Sequence, residues 1–534
     1  MTFFSQSRPN IILTGFMGTG KTTVGKLLAE QIGYEFVDTD ELIEYRSGMK
    51  IHDIFIHKGE EAFRQMEADL VQELSETEGH VVSTGGRLML DPENAAALSK
   101  KGRVFCLVAT PEEILKRIHE DAKTVRPLLQ APNPKERIIE LMQQREKDYG
   151  QFLQLITSEK SPNEVADNLL HSLHSNLDLR FPIHAPDDAL YEFLVGGGLL
   201  PFVKQLAKID GRVVVITDSH VGPLYAKSLM HTDLVITIPP GQQSKTLSTV
   251  QSICEQLVEN DFDRESTLIG LGGSVICGLA GFVAATYMRG IDCVHCPTSL
   301  ASMADTSIGG KSGVNLPQGI NLIGVFKQPK AVIADVATLQ SLSPQEFACG
   351  MAEIIKHSII ADPELLRNIR NGNWKHDSET LQLMLPALQT LVAQAIQVKI
   401  NIIQQDPFEQ DYRAVLNLGH TFAYAIEYVS DHRIRHGEAV GMGLVAAANL
   451  SARMGYCSQR VQEHIESALQ CSGLSTRVPG DLPINQLLQA MKTDKKKRAG
   501  RSRFVLIKDI GETFIADDVP QKAVYETLEE ISDS

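Results

Sequence analysis

Residues 11–22 read IILTGFMGTGKT, an apolar run followed by a glycine-rich turn that ends in a Lys-Thr pair. The turn fits the pattern G-x-x-x-x-G-K-[ST], in which backbone N–H groups surround the phosphates of a nucleotide. The apolar run predicts a buried strand at residues 9–14, and residues 22–32 predict a helix whose N-terminus attracts the phosphates. We therefore expect an α/β domain with a parallel sheet. Its predicted phosphate site consists of Gly15, Gly18, Thr19, Gly20, Lys21, Thr22 and Thr23.

Two carboxylates, Asp38 and Asp40, follow the second apolar run of this domain. In the phosphate-binding pattern, Lys21 reaches the β- and γ-phosphates and the Thr22 hydroxyl binds Mg²⁺. One of the two carboxylates can then support the Mg²⁺ ion, and the other can accept a proton from an alcohol. The alternative is that Asp40 caps the N-terminus of a helix that starts at Glu41.

Three arginines occupy separate positions in the same domain: Arg64, Arg126 and Arg145. A guanidinium binds a carboxylate or a phosphate through two parallel N–H groups. Arg126 lies in a segment with few apolar anchors, which is typical of a lid. The three arginines favour a polyanionic cosubstrate together with a substrate that carries a carboxylate.

The composition excludes several classes of protein. The chain has 534 residues and a net charge of −15, which argues against non-specific binding to nucleic acid. No apolar stretch approaches the ~20 residues of a membrane-spanning helix, and the polar N-terminus does not resemble a secretory signal. The eight cysteines are too sparse for a disulfide framework, so a cytoplasmic location is expected. Cys293 and Cys296 are interpreted as small buried residues of a strand.

Two domains are expected, residues 1–175 and 180–534, because a segment rich in Pro and Asp between residues 172 and 190 interrupts the periodic pattern. Strand-like and helix-like segments alternate in the first domain and again in residues 180–342, which predicts an α/β architecture in both and a parallel sheet in the first. Long helical stretches dominate from residue 343 onward. The second domain is therefore expected to be an α/β part followed by an all-α part at 343–534, with a cleft between them.

The motifs GFMGTGKTT, DTD, FRxxE, STGG, RPLL and RxxxY occur in this order between residues 15 and 149. In this order they resemble shikimate kinase. The resemblance implies that the phosphate site binds ATP with Mg²⁺, that Asp38 supports the metal, and that Asp40 activates the shikimate hydroxyl. It also implies that Arg64 and Arg145 clamp the shikimate carboxylate and that Arg126 places a cation on the transferring phosphoryl group. Gly85 and Gly86 would supply two backbone N–H donors. The third glycine of the family's Gly-Gly-Gly is Arg87 here, which either crowds the substrate or points away as another cation.

Three candidate metal ligands lie on helix-like segments of the second domain: Glu353, His420 and His436. Two imidazoles, one carboxylate and an open position form the ligand set of a catalytic zinc site. Sequence spacing alone does not bring the three together, and Glu353 with His357 at i, i+4 is a rival metal-binding pair.

Polar and cationic residues accompany these ligands. Residues 305–324 are rich in glycine and too polar for a core, and the basic run at residues 494–498 favours binding of a phosphate or carboxylate in an acidic chain. The polar candidates for this site are Asp305, Lys311, Asn321, Lys356, Lys399, Arg413, Asn417, Lys495 and Lys496. Upstream, residues 268–274 read LIGLGGS, a strand that runs into a glycine turn of the kind that holds a dinucleotide pyrophosphate.

The segments GFVAATYMRG, CPTSLASMADTSIGGKSGVN, MAEIIKHSII, LNLGHTF and HGEAVGMG resemble 3-dehydroquinate synthase, and the resemblance covers residues 180–534. It implies zinc (or cobalt) held by Glu353, His420 and His436, NAD⁺ held by the α/β part, and a homodimer. The implied NAD⁺ site consists of Asp218, Lys245, Gly272, Gly273, Ser274, Thr298 and Ser299. The resemblance also implies that the substrate, 3-deoxy-arabino-heptulosonate 7-phosphate, binds to the polar candidates above and to Arg289 from the neighbouring subunit. The residues implied in the chemistry are Asp305, Lys311, Arg413 and Tyr424.

Several positions depart from that family: an Asp of the NAD⁺ site is Gly278, a Glu is Gln242, an Asn is His220, a Lys is Ile320, and a proton-relaying His is Tyr424. A phenol, with a pKa near ~10, is a poor base at neutral pH. We expect a bifunctional enzyme of the shikimate pathway that forms shikimate 3-phosphate and 3-dehydroquinate from small-molecule substrates. The alternatives are a kinase fused to a related sugar-phosphate cyclase, or to a synthase-like scaffold with impaired activity.

Overall fold

The computed structural model describes residues 9–120, 133–150, 152–173, 179–184, 190–229, 231–372, 374, 378–492 and 503–533. The chain divides into two compact units. The first unit comprises the chain up to Leu173 together with Pro201–Leu206. The second unit comprises His174–Leu200 and Ala207–Ser534.

The first unit is a five-stranded parallel sheet with helices on its faces, as the sequence predicts. Its strands are β1 (Ile11–Gly15), β2 (Glu35–Asp38), β3 (His80–Ser83), β4 (Arg103–Val108) and β5 (Leu153–Ile156). Its helices are α1 (Lys21–Ile32), α2 (Thr39–Ser47), α3 (Ile51–Glu76), α4 (Pro92–Lys101), α5 (Pro111–Glu120), α6 (Pro134–Gly150), α7 (Pro162–Leu173) and α8 (Val203–Leu206). The strand order is β2-β3-β1-β4-β5, so the fully buried β1 is central. The carboxyl ends of β1, β2 and β3 therefore meet at one edge, where ligands bind in such sheets.

The α/β part of the second unit contains a seven-stranded sheet of order β6-β7-β14-β11-β10-β8-β9. Only β6 runs antiparallel to its neighbour, which is β7. The strands are β6 (Arg180–His184), β7 (Leu190–Gly196), β8 (Val213–Asp218), β9 (Leu234–Ile238), β10 (Thr267–Gly272), β11 (Asp292–Pro297) and β14 (Ala331–Asp335). The helices are α9 (Gly222–Tyr225), α10 (Leu247–Glu259) and α11 (Ser274–Thr286). Cys293 and Cys296 are buried in β11, which confirms their predicted role.

The sequence marks residues 305–324 as too polar for a core. They contain the end of a π-helical turn, Ser302–Thr306, and most of an antiparallel hairpin. The hairpin pairs β12 (Lys311–Leu316) with β13 (Gly319–Phe326). Its strands approach closely, because a Cβ atom on Gly313 would lie 2.5 Å from the Ile323 carbonyl oxygen. Glycine there gives a tight, half-exposed ribbon that carries polar side chains beside the sheet.

The rest of the second unit is mainly helical and holds a large apolar core. Its helices are α12 (Pro344–Ala361), α13 (Pro363–Asn371), α14 (Ser378–Gln405), α15 (His420–Val429), α16 (His436–Arg453), α17 (Gln459–Cys471), α18 (Ile484–Lys492) and α19 (Gln521–Ile531). One hairpin, β15 (Phe504–Asp509) with β16 (Glu512–Ala516), joins the helices and departs from the expected all-α composition. None of the described helices is long and apolar enough to cross a membrane.

Candidate functional sites

The glycine-rich turn of the first unit leaves β1 and enters α1 in the conformation that a phosphate site requires. Gly15, Gly18 and Gly20 have φ angles of 130°, 75° and 92°, a region that residues with a Cβ atom rarely adopt. The Lys21 ammonium donates to the carbonyl oxygens of Gly15 (2.9 Å) and Phe16 (3.1 Å). The cation therefore lies over the turn, where it would meet the phosphates of a nucleotide.

Thr22 and Asp38 come together from α1 and the end of β2. The Thr22 hydroxyl donates to Asp38 Oδ2 over 2.8 Å, which places a hydroxyl and a carboxylate together as Mg²⁺ requires. Asp38 Oδ1 accepts the backbone N–H groups of Asp40 (3.1 Å) and Glu41 (3.3 Å) and so caps α2. The alternative in which Asp40 caps a helix starting at Glu41 is wrong, because α2 begins at Thr39 and Asp38 is its cap.

The Asp40 carboxyl therefore takes no part in the cap of α2. Burial, together with the charges of Asp38 and Glu67, raises its pKa to about 6 against the opposing charge of Lys21. A Cβ atom on Gly85 would lie 2.4 Å from Asp40 Oδ1, so glycine is required beside this carboxyl. The Gly85 N–H donates to Thr39 Oγ1 (2.9 Å), so the expectation that it is offered to substrate is not met here. A carboxyl with this pKa suits a general base.

Arg145 contacts the Gly85–Gly86 turn directly, and Arg64, on another helix, pairs with Glu67, which lies beside the turn. Arg64 Nη1 donates to Glu67 Oε2 over 2.5 Å, and a Cβ atom on Gly85 would lie 3.4 Å from the other oxygen of Glu67. Arg145 Nη1 donates to the Gly86 carbonyl oxygen over 3.2 Å. The two guanidinium groups therefore flank the same turn, as a carboxylate clamp requires.

The side chain of Arg87 points away from this turn. It is 57% exposed, and its Nη1 lies 3.2 Å from Glu60 Oε1. Glu60 also accepts from Arg64 over 3.0 Å, so one surface carboxylate binds both arginines. Of the two alternatives for Arg87, the structure selects the outward cation.

Sequence reasoning missed Arg117, on α5. Its guanidinium donates to the Gly18 carbonyl oxygen (3.4 Å) and to Thr157 Oγ1 (2.9 Å) and O (2.7 Å), which ties the phosphate turn to the end of β5. No local motif marks a lone arginine of this kind. Beside the same turn lies a cavity of about 470 Å³, lined by Thr22, Thr23, Lys26, Leu27, Pro162 and Asn163. Arg126 lies outside the described residues.

In the second unit, Glu353, His420 and His436 converge from α12, α15 and α16. One potential ligand atom from each lies within 4.8 Å of the other two. Glu353 Oε1 is 3.8 Å from His420 Nε2 and 3.5 Å from His436 Nε2. The rival pair is wrong, because the Nε2 atom of His357 faces Asp305 Oδ1 at 3.7 Å.

Each of the two histidines has an outer contact at Nδ1 and turns its Nε2 atom toward Glu353. His420 Nδ1 lies 3.2 Å from the Leu418 carbonyl oxygen, and His436 Nδ1 lies 2.8 Å from Glu427 Oε1. Such partners fix the orientation of metal-binding imidazoles. Burial opposes a charge on His436, but Glu353 and Glu427 together raise its pKa to about 10. The centre is therefore built to hold positive charge, and its donor set fits a divalent metal ion.

Glycines let the ligand-bearing helices meet almost backbone to backbone. A Cβ atom on Gly437, next to His436, would lie 2.3 Å from Cys349 Cα on α12. A Cβ atom on Gly443 would lie 2.2 Å from the carbonyl oxygen of Gly419, the residue before His420. These crossings set the distances between the three ligands.

A buried cationic group adjoins the metal ligands. Lys356 Nζ lies 2.5 Å from Glu353 Oε2 and 3.9 Å from Asp305 Oδ1. Lys399 Nζ donates to Asp305 Oδ1 over 2.7 Å. Burial opposes ionisation of Asp305, but Lys356 and Lys399 hold its pKa well below the usual range. These residues therefore form one charged network from the metal ligands to the π-helical turn.

A second cationic group gathers around Glu409, which the sequence analysis did not single out. Lys311 forms an ion pair with Glu409, and Asn417 Nδ2 donates to its Oε1 over 3.1 Å. Arg413 is buried and donates to the carbonyl oxygens of Pro407 and Gly309. A glutamate in an irregular loop has no periodic signature, which explains why it was missed. Lys495 and Lys496 lie outside the described residues.

The predicted cofactor residues gather at the carboxyl ends of β10 and β11. Gly273 precedes α11, and a Cβ atom there would lie 3.4 Å from Ser299 Oγ. The Thr298 N–H donates to the Gly272 carbonyl oxygen (3.0 Å), and Ser274 Oγ accepts from Thr306 (3.0 Å). Backbone N–H groups at the N-terminus of a helix are the arrangement that holds a pyrophosphate.

The other residues predicted to bind the cofactor or the substrate are spread over several elements of the second unit. Asp218 Oδ1 accepts the backbone N–H groups of His220 and Val221, both over 2.9 Å. Arg289 is exposed on a turn with φ of 67°. Lys245, predicted for the cofactor, donates to Asn321, predicted for the substrate.

Tyr424 packs over the metal ligands from the solvent side. Its ring centroid lies 5.5 Å from that of His420 and 6.1 Å from that of His436, and the tyrosine is 39% exposed. The departure from the family's histidine therefore falls within contact distance of both imidazole ligands.

Family models match three parts of the chain. They are shikimate kinase at residues 17–174, the N-terminal domain of 3-dehydroquinate synthase at residues 235–349, and its C-terminal domain at residues 350–497.

Individual relatives agree. The chain is 40% identical to the 3-dehydroquinate synthase of Acidithiobacillus ferrooxidans over 351 residues, which are 64% of this chain and 94% of that protein. It is 37% identical to the 3-dehydroquinate synthase of a Cyanothece species over 363 residues, covering 66% and 98% of the two chains. A crystal structure of 2-deoxy-scyllo-inosose synthase, with 23% identity, a TM-score of 0.58 and coverage of 66% and 99%, shares the fold. The chain thus belongs to the 3-dehydroquinate synthase family, and a shikimate kinase domain precedes its synthase domains.

Proposed function

We propose that each unit catalyses the reaction of its family with the residues described above, as parts of one bifunctional enzyme of the shikimate pathway. The first unit phosphorylates shikimate with ATP, and the second converts 3-deoxy-arabino-heptulosonate 7-phosphate to 3-dehydroquinate and phosphate. The observation that carries the proposal is the convergence of two imidazoles and one carboxylate beside a buried group of lysines. That arrangement combines a Lewis-acid site with charge for a phosphorylated acid.

In the kinase reaction, the backbone turn and Lys21 hold the phosphates of ATP, while Thr22 and Asp38 hold Mg²⁺. Asp40 takes the proton of the attacking shikimate hydroxyl, because a carboxylate with a pKa of about 6 is ionised but still basic near neutral pH. Arg64 and Arg145 bind the shikimate carboxylate. Arg126 is proposed to neutralise the transferring phosphoryl group.

In the synthase reaction, Glu353, His420 and His436 would hold the metal, and the turn at Gly272–Gly273 would hold the pyrophosphate of NAD⁺. When bound, a divalent metal ion polarises substrate oxygens as a Lewis acid, and NAD⁺ removes and returns a hydride. The cationic side chains would bind the anionic ends of the substrate: Lys311, Lys356, Lys399, Arg413, Lys495 and Lys496. Asp305, held ionised by its lysines, would accept hydrogen bonds from substrate hydroxyls.

Three further parts belong to the proposal. Residues 1–175 and 180–534 are the two functional domains. The synthase domain forms a homodimer in which Arg289 completes the neighbouring site, supported by its exposed position on a turn. The enzyme acts in the cytoplasm, supported by the free thiols of all eight cysteines.

The test is an assay of the full chain for both reactions before and after treatment with a chelator selective for transition metals, in excess Mg²⁺. We expect synthase activity to be lost and to return with Zn²⁺ or Co²⁺. Shikimate phosphorylation should be unchanged, and it serves as the internal control. Synthase activity that survives complete removal of the transition metal would contradict the proposed metal centre. A different phosphorylated sugar as the better substrate would favour a related cyclase.

A further inference from the structure

Arg87 occupies the position at which the shikimate kinase family has the third glycine of its turn. Its backbone has φ of −126° and ψ of −9°, and because φ is negative no glycine is needed there. The preceding residue, Gly86, accepts a hydrogen bond from the clamp residue Arg145 over 3.2 Å. The guanidinium of Arg87 is therefore a cation that this chain adds at the edge of the proposed shikimate site.

Arg64, the other clamp residue, donates to a carboxylate from each of its two terminal nitrogens. Its Nη1 donates to Glu67 Oε2 over 2.5 Å, and its Nη2 donates to Glu60 Oε1 over 3.0 Å. The Glu67 side chain is only 3% exposed, whereas the Glu60 side chain is 55% exposed. A substrate carboxylate that binds both nitrogens of Arg64 competes with these two partners. Glu60, at the surface, is the one that is more easily displaced.

Glu60 is shared between two arginines. Arg87 Nη1 lies 3.2 Å from the same oxygen, Oε1, that accepts from Arg64. Helix α3 is interrupted at Gly59, where φ is 84°, so its second part begins with Glu60 and carries Arg64 one turn later. Hydrogen bonding and charge from Arg64, with a smaller contribution from Arg87, lower the pKa of Glu60, which is therefore ionised at neutral pH. The two guanidinium groups thus compete for one negative charge.

The balance of charge around Arg64 shows what this competition does. Glu60 and Glu67 bring two carboxylates to one guanidinium, so these three groups together repel a further carboxylate. Arg87 adds a second guanidinium to the group, and the four charges cancel. Repulsion between nearby charges at a surface is weakened by salt but not abolished within a few ångströms. The clamp is therefore better suited to an anionic substrate with Arg87 than with the family's glycine.

We propose that Arg87 holds Glu60 when the shikimate carboxylate takes the place of Glu60 on Arg64, and that it thereby raises the affinity of the kinase for its acceptor. In the unliganded chain Glu60 bridges the two arginines, and in the complex it pairs with Arg87 alone. Arg87 is a positioning residue, because it acts through Glu60 and does not touch the substrate. The proposal rests on the proposed function, because it takes Arg64 as a ligand of the shikimate carboxylate. The dissociation constant of shikimate should therefore depend on Arg87, whereas kcat should not.

The experiment measures the dissociation constant of shikimate from the full chain by isothermal titration calorimetry, together with kcat of the kinase. Arg87→Gly leaves Glu60 on Arg64 and should raise the dissociation constant about threefold, the size of effect expected for a half-exposed ion pair. In Glu60→Gln the competing charge is gone, so Arg87→Gly added to that variant should have no further effect. Arg46→Ala, which removes an exposed arginine paired with Glu73 in the same unit, is the matched control and should leave the dissociation constant unchanged.

Three outcomes would overturn the inference. The first is an equal rise for Arg87→Gly with and without Glu60→Gln, because Arg87 would then act on the substrate without Glu60. The second is a dissociation constant that does not change in Arg87→Gly. The third is an equal rise in Arg46→Ala, which would assign the effect to the net charge of the unit. Failure of the unaltered chain to bind shikimate would instead contradict the proposed function of the first unit.

Discussion

The phosphate site of the first unit and the metal centre of the second unit are built in opposite ways. The first is continuous in sequence, and its shape comes from the backbone of three glycines with positive φ. The second is assembled from single side chains on α12, α15 and α16, and its shape comes from helix packing. A backbone-built site is therefore visible in a local motif, whereas a site built from side chains exists only once distant helices have packed.

Removal of one metal ligand should produce the largest effect. His436→Ala leaves two ligands and should lower synthase turnover by on the order of 10³-fold, because the Lewis acid contributes several kcal/mol. Metal content and phosphate release measure the effect. His432→Ala, four residues earlier and exposed, is the matched control and should keep both metal and activity. Equal metal content in the two variants would show that His436 is not a ligand.

The backbone-built site should depend on one side chain almost as strongly. Lys21→Ala removes the cation that lies over the phosphate turn and should lower kinase turnover by about 10²–10³-fold, the usual cost of one transition-state donor. Lys50→Ala, which removes an exposed lysine of the same unit, is the control. The coupled assay with shikimate measures the kinase, and synthase activity should not change. Loss of both activities in Lys21→Ala would contradict two independent sites.

A substitution of Tyr424 is expected to raise the synthase turnover rather than lower it. Tyr424→His restores an imidazole within contact distance of both histidine ligands and should raise synthase turnover by about 10²-fold if proton transfer limits the rate. Tyr424→Phe, which keeps the ring and removes the hydroxyl, separates packing from proton transfer. Unchanged turnover in Tyr424→His would assign the proton transfer to water or to the substrate phosphate.

The smallest expected effect is a pH dependence of the kinase alone. Asp40 must be ionised to act as a base and has a pKa of about 6, so kcat/KM should rise with pH through 6. At pH 5 it should be about tenfold below its plateau. Glu67→Gln removes a charge that raises this pKa, so the rising limb should move to lower pH. A limb that stays in place would show that another group titrates.

Much of the fold was predictable because its elements have strong periodic patterns. The strand Ile11–Gly15 and the helix Lys21–Ile32 lie within two residues of the predicted bounds, 9–14 and 22–32, and the phosphate turn has the predicted context. The β12–β13 hairpin was not predicted, because its polar, glycine-rich strands carry no alternating apolar pattern. Its structure depends instead on cross-strand contacts between glycines.

The composition of the sites was predictable in part. The three metal ligands were identified by residue type, but their convergence depends on packing that spacing does not reveal. Asp38 rather than Asp40 caps α2 because the helix starts two residues earlier than expected. Arg87 points outward because its partner, Glu60, lies at the surface. Glu409 and Arg117 act through long-range contacts, so nothing in their local sequence marks them.

The helix crossings at Gly437 and Gly443 have a consequence for how sequence variants of this enzyme are judged. A methyl group at either position would meet backbone atoms at 2.3 Å or less, so the helices would have to move apart. Such a chain would keep every zinc ligand in its sequence and yet misplace the ligands in space. Genome surveys that score only the chemistry-bearing residues would record the gene as functional, although a single added carbon had silenced its product.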